Sequence, residues 1–277
     1  PLLNYVQSRI FDRPISEIRS TKPSIMSCAV VELYDDMLTV KHEPRALLHS
    51  KTTANKNSAI YNHAFYEAPS IRKFCDTYYL IYSSGQNNEL CYATSQYPDR
   101  GYEYQGVLIS NSDLGYQGNR QRFAPAGTIH GSVEWINGKY YIFYHRCTHN
   151  TDFSRQACAE KINMNPDGTF DQVEITTQGL GKPLTARGKI PASLCCNLYN
   201  KKMTNVQGNG YEQSQPNITH DNHYQYVTAI DNGTVIGYKY LIFDGVKMLS
   251  VVTRNAKGKF IVTTQPGESI AAVVDLA

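Results

Sequence analysis

Glu67 and His130 are the side chains that the sequence best places to move a proton or hold an ion. Each stands just before one copy of a repeated pattern, residues 70–82 and residues 132–144. Ser70 aligns with Ser132 and Tyr78 with Tyr140, both 62 residues apart. Each copy reads as strand, polar turn, aromatic strand. Repeated units stacked around an axis bring the two starting points together. A carboxyl so placed can act as a general acid or base when its environment sets its proton affinity. Taken alone, a single Glu ahead of a strand is usually solvated. A single His there closes a core by hydrogen bonding as readily as it binds an ion.

The elements that must hold these groups read as strands. From Ser27 short apolar runs alternate with turns. They include Cys28–Leu33, a turn at Asp35-Asp36, Leu90–Ser95, Arg155–Ile162 and the turn Asn165-Pro-Asp-Gly168. The Asp-Gly pair is a strong turn signal. No segment carries three turns of helical periodicity, so the fold class is all-β. A period of about 60 exceeds common propeller repeats but fits four-stranded blades with longer loops. Residues 199–223 are rich in Asn, Gln and Gly and read as a linker. Residues 224–277 give short alternating strands resembling a β-sandwich. The expected domains are therefore 1–198 and 199–277.

Composition narrows the function. The 277 residues carry 27 basic and 24 acidic groups, a net charge of +3. That balance leaves no electrostatic footprint for nucleic acid or an anionic membrane. No apolar run reaches transmembrane length. The 21 Tyr against nine Phe and one Trp suit strand packing, and some suit sugar stacking. Seven Cys fit no zinc spacing. Cys75, Cys91, Cys147 and Cys158 lie in apolar runs and are expected as buried thiols. No phosphate loop, serine elbow or metal-spaced cluster is visible. His63, His145, His149, His220 and His223 are expected to pack or lie at the surface.

Several pieces together resemble glycoside hydrolase family 43. They are Phe65-Tyr-Glu-Ala-Pro-Ser-Ile-Arg-Lys73, Tyr78–Ser84, Cys91–Ser95, His130-Gly-Ser132, Tyr140–Arg146, Arg155 and Asp167-Gly-Thr169. The resemblance covers roughly residues 27–190. It implies a five-bladed β-propeller, here partial, that hydrolyses glycosidic bonds with inversion. The C-terminal part resembles a family 6 carbohydrate-binding module, through Gly237–Phe243. The implied substrates are arabinose- or xylose-containing plant polysaccharides, with β-xylosidase or α-L-arabinofuranosidase activity. Plant cell-wall polysaccharide is then the partner, and a secreted or periplasmic site follows from that substrate.

The resemblance also implies roles. Glu67 is the general acid, which must keep its proton near neutrality through burial or a nearby negative charge. Pro69 should push Ala68 towards extended backbone. Phe65 and Arg155 would bind substrate, Arg155 through its planar donor fork. His130 matches a central histidine associated with structural Ca2+, although calcium prefers oxygen ligands; no organic cofactor is implied. The family's base and its second, tuning Asp both precede the acid. Only 66 residues precede Glu67, and Asp12, Asp35 and Asp36 match neither motif. The chain therefore reads as truncated at both ends, with the base outside it. The rival reading is a noncatalytic carbohydrate-binding protein on a degenerate propeller.

Overall fold

The repeated pattern folds as two antiparallel hairpins that lie side by side. The computed structural model describes residues 8–9, 12, 14–16, 27–85, 88–125, 127–149, 151, 153–201, 215–264 and 269–276. Two short strands, β1 (Cys28–Val30) and β2 (Arg45–Leu48), pair first. The first copy supplies β3 (Phe65–Phe74) and β4 (Thr77–Ser84). These continue into β5 (Glu89–Ser95) and β6 (Glu103–Ser110) as a four-stranded meander in chain order. The second copy supplies β7 (Gly131–Ile136) and β8 (Lys139–Cys147), joined by β9 (Arg155–Ile162). Short 3-10 turns interrupt these strands at Ala59–His63, Tyr116–Gly118 and Ala192–Leu194, and before the first strand residues 8–9 and 15–16 are helical. The all-β expectation holds.

Both repeat hairpins close with two residues. Phe74 pairs with Thr77, and Ile136 with Lys139. The first loop residue takes a left-handed φ in each copy, 51° at Cys75 and 49° at Asn137. Cys75 therefore stands exposed at a hairpin tip, not buried as its apolar neighbours suggested. The other expected thiols are covered: Cys91 and Cys147 are buried and Cys158 half-buried. All seven cysteines are free.

The copies meet at equivalent positions. Ser70 Oγ donates to Ser132 Oγ at 3.0 Å, and Arg72 Nε donates to Glu134 Oε2 at 3.1 Å. Both contacts join residues 62 apart in sequence. The strands that begin each copy, β3 and β7, thus run beside one another, as neighbouring blades require.

Burial explains the unbroken apolar run in β4. Tyr79 and Ile81 enter a cluster shared with β7–β9, alongside Val133, Ile142 and Ile162. Leu80 and Tyr82 enter a second cluster with Cys28, Leu48 and Cys91. A strand covered on both faces has no polar face to alternate with. Tyrosines here pack and also tie: Tyr79 donates to Gly168 O at 2.8 Å, and Tyr92 accepts from Phe170 N at 2.8 Å. The turn before Phe170 forms as read, with Asn165 N donating to Thr169 O at 2.8 Å.

The chain divides into two compact units, 1–184 with 191–240, and 185–190 with 241–277. The expected boundary at 198/199 falls inside the first. There Asn197–Tyr199 pairs with Val235–Gly237, and Asn217–His220 with Gln225–Thr228. In the second unit Gly258–Thr263 pairs with Ile270–Leu276. Among the described residues of 199–277 every ladder is two-stranded, so no assembled sandwich is present there. No helix among the described residues is long and apolar enough to cross a membrane.

Candidate active site

Glu67 sits in an irregular stretch of β3. Phe65 opposes Ser84, Glu67 opposes Ser83, and Ser70 opposes Ile81, so β3 carries extra residues on both sides of Glu67. Such bulges re-aim a side chain and bend the strand. Ala68 completes the distortion with φ of 56°, left-handed where Pro69 had suggested extended backbone. A non-glycine residue there costs about 1 kcal/mol or more. The carboxyl that results is part-exposed, its side chain 40% accessible.

His130 reaches this carboxyl from the start of β7. Its Nε2 lies 2.9 Å from Glu67 Oε1, a hydrogen bond across the two repeat copies. Behind it the His145 ring stands edge-on at 5.1 Å, and His145 Nε2 lies 3.2 Å from Thr128 Oγ1. Burial, helped by the charges of His130 and Arg155, pushes His145 down to about 4. His145 therefore stays neutral near pH 7 and adds no charge beside the Glu67–His130 pair. Expected to pack or lie at the surface, it packs against His130 beside Glu67. Its repeat-equivalent in the first copy is Ser83, which donates to Ile129 O next to His130. The contact of His145 with His130 becomes meaningful only in the fold, and no sequence signal points to His145.

The other expected residues separate. Arg155 opens β9 opposite Cys147, exposed, two strand positions from the His145–Ala157 pair. It lines a cavity of about 320 Å³ with His149, Ser154, Gln156, His220 and Gln225. His149 Nε2 lies 3.2 Å from His220 Nδ1, so these two histidines also pair. Phe65 packs instead: its ring is 5.9 Å from Tyr82, against the second core cluster. The sugar contact expected of Phe65 finds no support in this packing. Asp36 accepts from Leu38 N and Thr39 N at 2.9 Å, and from Thr39 Oγ1 at 2.5 Å, which makes it a turn cap. Asp12 is exposed, with φ of 48°.

Two metal questions follow. Among the described residues, the side-chain oxygens hydrogen-bonded to His130 and His145 are one Glu67 carboxylate oxygen and the Thr128 hydroxyl. Calcium takes six to eight oxygens, so these side chains do not fit it on their own. Elsewhere, His63, Glu89 and Cys91 bring three ligand atoms within 4.8 Å of one another. No spacing in the sequence reveals this cluster, because the turn that carries His63 meets β5 only in the fold.

Comparison with known proteins gives a consistent picture. Residues 16–170 match the family described as glycosyl hydrolases family 43. A xylosidase/arabinosidase from Thermoclostridium stercorarium is 41% identical over 242 residues, covering 83% of this chain and 51% of that protein. A beta-xylosidase from Xylanibacter ruminicola is 30% identical over 147 residues, covering 52% of this chain and 42% of that protein. The chain thus spans about half the length of these curated relatives. Among solved structures, CoXyl43 is a GH43 beta-xylosidase/alpha-arabinofuranosidase from a compost microbial metagenome, captured with xylotriose in a calcium-free form. It is 26% identical with a TM-score of 0.42, covering 53% of this chain and 42% of that one.

Proposed function

Because the chain belongs to glycosyl hydrolase family 43, we propose that it carries the acid half of an inverting glycosidase, with Glu67 as the general acid. The substrates are arabinose- or xylose-containing plant polysaccharides, cleaved as by a β-xylosidase or α-L-arabinofuranosidase. The observation that carries this reading is the Glu67–His130 pair. A bulged strand presents a part-exposed carboxyl, and the neighbouring copy holds it at 2.9 Å.

Chemically, the carboxylic acid protonates the leaving glycosidic oxygen as the bond to the anomeric carbon breaks. A second carboxylate, about 6.5–9.5 Å away, draws a proton from the attacking water on the opposite face. Asp36 is committed to its turn, and we assign the base to no described residue. Arg155 and the cavity it shares with His149, His220 and Gln225 offer donors for sugar hydroxyls. Polysaccharide of this kind lies outside cells, which supports a secreted or periplasmic site.

The test is hydrolysis of nitrophenyl β-xyloside, nitrophenyl α-arabinofuranoside and xylobiose by the whole protein and its Glu67→Gln form. Loss of a positioned acid costs about 10²–10⁴-fold. The loss should be largest for xylobiose, whose poorer leaving group needs the proton most. Equal rates for both forms on xylobiose would overturn the assignment.

A further inference from the structure

The turn at Ala59–His63 delivers an imidazole to a carboxylate and a thiol that are otherwise sealed in apolar surroundings. Glu89 and Cys91 are two apart on β5 and so share one face of that strand. Glu89 is 2% accessible and Cys91 0%. His63 Nδ1 lies 2.6 Å from Glu89 Oε1, and Cys91 Sγ lies 3.5 Å from the same oxygen. Around them stand Cys28, Leu48, Leu80, Tyr82 and Tyr102 of the second core cluster.

The three donors are held by further contacts. Tyr104 stacks on the His63 ring at 5.2 Å, nearly parallel. Tyr82 donates to His63 O at 2.9 Å, fixing the turn that carries the imidazole. Ser84 Oγ donates to Glu89 Oε1 at 2.7 Å. Outer partners of this kind orient ligands at metal centres.

We propose that His63, Glu89 and Cys91 form a structural binding site for a divalent transition ion, Zn2+ being the best match. The donor set is one nitrogen, one oxygen and one sulfur, each an established zinc ligand type. Charge favours it as well. A carboxylate and a thiolate sum to −2, so a dication gives a neutral assembly, which an apolar cluster tolerates far better than an isolated charge. Sulfur in the set argues against Mg2+ and Ca2+, which take oxygen ligands. On binding, the ion replaces the proton shared between His63 Nδ1 and Glu89 Oε1, and that proton passes to water. The Cys91 proton passes to water as the sulfur–metal bond forms. The ion staples the 59–63 turn to the middle of the sheet that carries Glu67.

The test uses the purified full chain, stripped with chelator and titrated with Zn2+ alone. Expected are one tightly bound ion per chain and a rise in Tm of roughly 5 °C. Co2+ in its place should give the charge-transfer absorption of a thiolate–cobalt bond. His63→Gln, at a part-exposed position, should fold and lose both the shift and the absorption. Cys91→Ser should lose the absorption even where it folds less stably. No Tm shift and no stoichiometric binding by the parent chain would overturn the proposal. So would unchanged binding in His63→Gln, which would place the ion on other groups such as His149 and His220.

Discussion

Glu67 and His130 lie 63 residues apart in the chain and 2.9 Å apart in space, one from each copy of the repeat. With Glu67 as the proposed acid, His130, which hydrogen-bonds its carboxyl, would act as a positioning residue. His130→Ala should lower kcat on xylobiose by about 10²-fold, the scale of a misplaced catalytic group, with little change in KM. His130→Gln should recover part of the loss, because its amide can still hydrogen-bond the carboxyl. Steady-state kinetics on the three proteins checks this. An equal loss in both variants would point to general damage to the site.

Ala68 holds a left-handed φ of 56° beside Glu67. Glycine adopts that conformation without the steric cost. Ala68→Gly should therefore keep activity and change stability by less than about 1 kcal/mol. Strain relief and the greater freedom of the unfolded chain oppose each other there. Ala68→Val, branched at Cβ, should destabilise the fold and lower activity. Thermal unfolding with parallel assays separates the two effects.

Cys75 occupies the position that Asn137 fills in the second copy, and both backbones are left-handed. Asn tolerates that region better than most side chains. Cys75→Asn should raise Tm by about 1–3 °C, a fraction of a kcal/mol in a domain this size, with kcat unchanged. Differential scanning calorimetry in reducing buffer measures it.

His145 is pushed from 6.5 to about 4 by burial and by the charges of His130 and Arg155. The folded state therefore binds fewer protons than the unfolded chain between those values. Stability from this group is present above about pH 6.5 and is lost as pH falls towards 4. His145→Gln should flatten that part of the profile. Urea unfolding at steps between pH 7 and pH 4 gives the slope for each protein.

The hairpins were legible because their signals are local. Apolar alternation, the Asp167-Gly168 turn and the offset of 62 all lie along the chain. What brings the copies together was half visible: Ser70 with Ser132, and Arg72 with Glu134, follow once the repeats stack. The rest depends on distance in space. No pattern announces that Glu67 stands in a doubly bulged strand, since bulges are set by the pairing partner. His145 reads as one more residue of an aromatic strand until the fold sets its ring against His130. His63 and Glu89 are likewise strangers in sequence. The expected boundary at 198/199 followed a change in composition, yet Asn197–Tyr199 pairs with Val235–Gly237 across it.

The double covering of β4 sets the order in which the protein comes apart. Amides of Leu80, Ile81 and Tyr82 have a strand on each side and packed side chains above and below. Such amides are expected to exchange with solvent only through large openings, and those of surface turns through small local ones. β3 pairs along one edge of that strand, and its bulged stretch at Glu67 opposes Ser83, just beyond the packed centre of β4, so the site can open locally while that centre stays closed.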